Sequence, residues 1–140
     1  MNRRTALASL ALAWPLASHA HEYYLLSFTL IHPWAYPTEH GQSSAAVYFS
    51  VQDVLQPDRL LQARSPVAEW VAFRAPAELE NSRVDELVIG PATQAQFGPE
   101  GFHLRLEGLR SPLQLYAVYP LMLTFEHSGR VLVQISVGAH

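Results

Sequence analysis

Cysteine is absent from the 140 residues and so is lysine, since all nine basic residues are Arg. The first absence excludes disulfides and thiolate metal sites, and the second excludes Schiff-base and P-loop-lysine chemistry. Methionine occurs only twice, so soft thioether donors are nearly missing too. Twelve acids against nine Arg give a formal net charge of −3, which leaves no basic surplus to neutralise phosphates. Nucleic acid is therefore not an expected partner. No apolar run reaches the roughly 20 residues that a membrane helix needs. What remains conspicuous is His, with seven copies in a chain of one domain's length.

Residues 1–20 read as a secretory signal. Arg3 and Arg4 form a basic start, an apolar run follows from Ala6 to Leu16, and Ala17-Ser18-His19-Ala20 offers small residues at −3 and −1 of a cut. Cleavage after Ala20 leaves a mature domain of residues 21–140 that begins at His21 and is expected in the periplasm. It also removes Arg3 and Arg4, leaving seven Arg against twelve acids, a net −5. A chain of this size buries roughly two thirds of its unfolded surface, enough for a core without staples.

The mature chain predicts an all-β fold. Phe102, Leu104 and Leu106 alternate with His103, Arg105 and Glu107, the period-2 pattern of a strand with one buried face. Leu121, Leu123 and Phe125 repeat it, and Val131, Val133, Ile135 and Val137 repeat it again after His127-Ser128-Gly129, predicting a hairpin with Gly129 in the turn. Further strands are expected over 24–31, 45–51, 60–64, 69–73, 87–89 and 93–97, with Pro33 stopping the first of them. A short helix fits only around 75–83. Seven to nine short strands, punctuated by proline, argue for an antiparallel sandwich or barrel.

No G-x-S-x-G elbow, paired carboxylates or zinc-type His spacing occurs, so no catalytic residue is expected. His103 and Arg105 project from one strand face, as a metal ligand and its neighbour would. The same pattern describes a solvated polar face, and the permanent cation of Arg105 opposes a metal. His21, once it is the first residue, offers an α-amine and an imidazole to Cu(II); otherwise it is an incidental terminal His. His32 ahead of Pro33 and Trp34 reads as a buried, hydrogen-bonded side chain, with Trp34 packed beside it. His40, His127 and His140 read as loop or end residues.

In order along the chain stand Ala20-His21-Glu22, His32-Pro33-Trp34-Ala35, Ser65-Pro66-Val67-Ala68-Glu69, the run Gly98-Pro99-Glu100-Gly101-Phe102-His103-Leu104-Arg105-Leu106-Glu107-Gly108-Leu109, and Pro120-Leu121-Met122-Leu123-Thr124-Phe125-Glu126. Together these resemble the periplasmic copper chaperones of the PCu(A)C type over nearly the whole mature chain. The resemblance implies a cupredoxin-like Greek-key β-sandwich or barrel that carries one copper ion, mainly Cu(I), towards cytochrome oxidase assembly. A copper-accepting oxidase subunit or another copper chaperone is then the expected partner.

The family's ligands are two His and two Met. Carried over, the first His position falls on Arg74 and the last Met position on Arg105, while the stretch from Arg74 to Ile89 is shortened and has no Met. Only His103 survives. Met122, the one mature methionine, lies outside those positions. The resemblance therefore implies a degenerate site, with copper held weakly or differently through His103, His21 or another His. The alternative is a metal-free binding or assembly module whose Arg74 and Arg105 face an anion or an acidic partner.

Overall fold

The computed structural model of the chain describes residues 22–76 and 84–138. Among these residues nine strands run in chain order as β1 (Glu22–Tyr24), β2 (Thr29–Ala35), β3 (Ser44–Gln52), β4 (Asp58–Arg64), β5 (Ala68–Arg74), β6 (Leu87–Ile89), β7 (His103–Leu109), β8 (Val118–Phe125) and β9 (Gly129–Val137). They form one sheet in the order β5-β7-β3-β2-β9-β8-β4-β6, with β1 added on β2. The sheet curls until β4 and β5 approach without pairing, giving a nearly closed barrel, one of the two architectures the strand pattern predicts, although β2 and β9 pair in parallel rather than antiparallel.

Alternation sets the layers. Along β3, Ala45, Val47, Phe49 and Val51 are buried between more exposed neighbours, and along β7 Leu104 and Leu106 are wholly buried. With Leu30, Leu60, Leu121, Leu123, Val133 and Ile135 they fill a single core. The β8–β9 hairpin forms as expected, with Phe125 opposite Gly129 and Gly129 at φ +77°.

Three expectations are corrected. The stretch 24–31 is two strands, because Leu25 N–H bonds to Phe28 O at 2.9 Å and turns the chain back on itself. Pro33 does not stop β2 but sits inside it, where the register with β3 shifts between Ile31 and Trp34 and His32 adopts φ +49°. A bulge is where a strand tolerates a residue that cannot donate to the ladder. Residues 93–97 hold a 3-10 turn at Gln94–Gln96 rather than a strand. There Thr93 Oγ1 accepts from Gly90 N–H at 2.9 Å and donates to Val88 O at 3.0 Å, satisfying groups that a ladder would otherwise need. Most of the helix suggested at 75–83, together with His21 and the signal segment, lies outside the described residues.

Asp58 locks one end of the barrel. It is 1% exposed and accepts from the backbone N–H groups of Arg59, His127 and Ser128 and from Ser128 Oγ, all at 2.7–2.9 Å. Burial by itself would raise its pKa, but these bonds outweigh it, led by that from Ser128, and hold the carboxyl below its ordinary value.

Candidate functional site

Strand register brings His103 into a row of side chains on the outer face. Arg74 is its direct partner on β5. On the other side the Tyr48 ring lies 5.3 Å from the imidazole, and Tyr48 is in turn paired with Trp34, their rings 4.8 Å apart. Tyr36 packs edge-on against Trp34 at 5.1 Å. A guanidinium, an imidazole and three aromatic rings thus follow one another across β5, β7, β3 and β2, while Leu104 and Leu106 point the other way into the core.

The imidazole is held in one orientation. His103 Nδ1 lies 2.9 Å from Gly101 O, and since a carbonyl only accepts, Nδ1 carries the proton and Nε2 is left as the basic nitrogen. Burial is the largest cause lowering the His103 pKa; the Gly101 bond works against it, and the cations of Arg74 and Arg105 add to the lowering. The ring is therefore neutral at pH 7, the form that binds a metal.

Arg105 shares this face, as its spacing predicts, but turns away. It lies between Ala72 and Ala46 on the flanking strands, donates from Nη2 to Ser44 Oγ at 2.7 Å, and sets Nε 3.5 Å from Glu107 Oε2. Its charge is drawn along the strand, away from His103. Arg74 has no carboxylate partner among the described residues.

The other candidates are not gathered here. Met122 lies on β8 between Leu132 and Arg64, strands away from His103. His127 is in the β8–β9 turn with Nε2 3.3 Å from Glu126 Oε1, and His40 is exposed in the loop before β3. His21 and His140 lie outside the described residues, which contain no group of three or more His, Cys, Asp or Glu able to hold a metal. Tyr48, Trp34 and Tyr36 are the members of the row that sequence reasoning missed; for Tyr48 the available signal was the alternation of Ala46, Tyr48 and Ser50 with the buried positions of β3.

Comparison with known proteins agrees with this architecture. The copper-bound PCuAC domain from PmoF2 superposes with a TM-score of 0.73 at 26% identity, covering 86% of this chain and 99% of that one. The apo PCuAC domain from PmoF1 gives 0.75 at 20% identity over 86% and 100% of the two chains. The solution structure of CuI-DR1885 from Deinococcus radiodurans gives 0.66 at 20% identity over 81% and 79%. No curated protein matches the chain. The LpqE-like family model, described as one of lipoproteins, matches residues 28–137, although these 140 residues hold no Cys to which a lipid could be attached. With that match spanning most of its length, the chain belongs to the LpqE-like family and carries the PCuAC cupredoxin-like fold.

Proposed function

We propose that this is an exported copper-binding domain, chaperone-like rather than catalytic, that holds its ion through nitrogen donors instead of the usual His and Met set. The observation that carries the reading is His103, a neutral imidazole fixed through Nδ1 with Nε2 unspent. It is kept on a fold whose copper-bound PmoF2 relative is 26% identical. A lone imidazole beside Arg74 does not suit Cu(I), which prefers soft donors and is repelled by a fixed cation.

His21, the first residue once residues 1–20 are removed, is the separate, alternative donor, through its α-amine and ring. Such a nitrogen set favours Cu(II). The family's description as lipoproteins supports export, and the periplasm, with an oxidase subunit or another copper chaperone as acceptor, is where we assign the protein. The second reading, a metal-free assembly module, is favoured by the two guanidinium groups beside the single imidazole.

Isothermal titration of protein beginning at His21 separates them. One Cu(II) binds with submicromolar affinity and Cu(I) more weakly. His103→Ala weakens Cu(II) by about tenfold or more, on the scale of losing one metal-site contact. If one extra residue ahead of His21 abolishes Cu(II) binding instead, by removing the α-amine from its chelate, the terminus is the site. Binding of neither ion overturns the copper reading in favour of the metal-free module.

A further inference from the structure

We propose that β5 and the groove beside it receive an extended acidic segment of a partner protein, which adds to the sheet as a further strand. Among the described residues β5 pairs only with β7, and no other described strand is hydrogen-bonded to its second edge. That edge opens on a groove of about 920 Å³ whose far wall is the end of β4. Edge strands are normally blunted by charge or proline, yet the centre of β5, Trp70-Val71-Ala72-Phe73, has neither. Trp70 is 59% exposed, and Leu61 across the groove is 42% exposed.

Charge selects the occupant. Of the described arginines, Arg59 and Arg105 face carboxylates. Arg64, Arg74 and Arg110 all line this groove and have no carboxylate partner among the described residues. Of the two acids along the groove, Asp85 already has a partner, leaving Glu69. Arg64 and Arg110 mark the end where β5 begins and Arg74 the end where it stops, with the apolar stretch between them. A strand matched to this pattern is about seven residues long, roughly 23 Å at 3.3 Å per residue, with carboxylates at both ends and apolar side chains between. Main-chain bonds to β5 give it affinity, and the arginines give it sign.

The probe is an acetylated seven-residue peptide with two glutamates at each end around a valine–threonine–valine centre, compared with its lysine counterpart and with a version N-methylated at alternate centre positions. The glutamate peptide binds and slows amide hydrogen exchange across 68–74. The lysine peptide binds at least about tenfold more weakly, and Arg64→Glu with Arg74→Glu reverses the preference. N-methylation, which removes the donors without altering the protein, abolishes binding. His103→Ala leaves peptide binding unchanged, so this proposal and the copper reading fail separately. Equal binding of the lysine peptide, unaltered exchange in 68–74 with the glutamate peptide present, or concentration-dependent protection of 68–74 in a dimer of the free protein overturns it; the last would make a second copy the occupant.

Discussion

Asp58→Ala lowers the unfolding free energy by about 3 kcal/mol, measured by chemical denaturation at neutral pH. The carboxylate is buried and accepts four hydrogen bonds, three of them from His127 and Ser128 in the β8–β9 turn. Removing it strands several donors at once, each costing on the order of 1 kcal/mol or more. The pH dependence has a definite sign. A carboxyl whose folded pKa lies below its unfolded value contributes stability that is complete above the unfolded value near about 4, and loses it as pH falls through the lower folded one. The wild-type protein therefore loses stability in acid more steeply than Asp58→Ala. Parallel curves for the two proteins would contradict this account.

The largest functional effect is a gain. Arg74→His combined with Arg105→Met raises Cu(I) affinity by about a hundredfold or more, measured by competition with a Cu(I) chelator, because two fixed cations give way to an imidazole and a thioether. Arg74 is the cross-strand partner of His103, so a His there has its Cβ within about 5 Å of that of His103. Position 105 is two residues along the same face, with only Ala46 and Ala72 flanking it. Arg105→Met alone gives a smaller gain, since Arg105 already leans towards Glu107 and Ser44 and the cation facing His103 is that of Arg74. No gain from the double variant would contradict this account of why Cu(I) is disfavoured here.

What could be read in advance follows a physical division. Strands β7, β8 and β9 alternate over most of their length between buried and less buried positions, so their period is visible residue by residue. Pro33 reads as the end of a strand, yet β2 continues through it because a bulge absorbs the missing donor, and bulges belong to strand pairs rather than to single strands. Residues 93–97 look extended, but the Thr93 hydroxyl closes a local turn. At the site, the shared face of His103 and Arg105 came from spacing alone. That Arg74 faces His103, and that Tyr48 and Trp34 continue the row, depends on register between segments 29 to 55 residues away (103 minus 74 and 103 minus 48). No local pattern encodes such a register. The resemblance supplied Arg74 where periodicity could not.

The pairing of β2 with β9 has a kinetic meaning. Trp34 meets Ser136 in a parallel ladder, 102 residues apart (136 minus 34), while β8 and β9 meet through a tight hairpin. The hairpin can form early and alone, but the β2–β9 junction must wait until almost the whole chain is available. Closure entropy for such a distant contact is spent before the contact returns anything, which puts the folding of this barrel in the slow, millisecond-to-second class. A chain that cannot close until its last strand arrives stays unfolded longest while it is being made, the condition in which a polypeptide can still be threaded across a membrane.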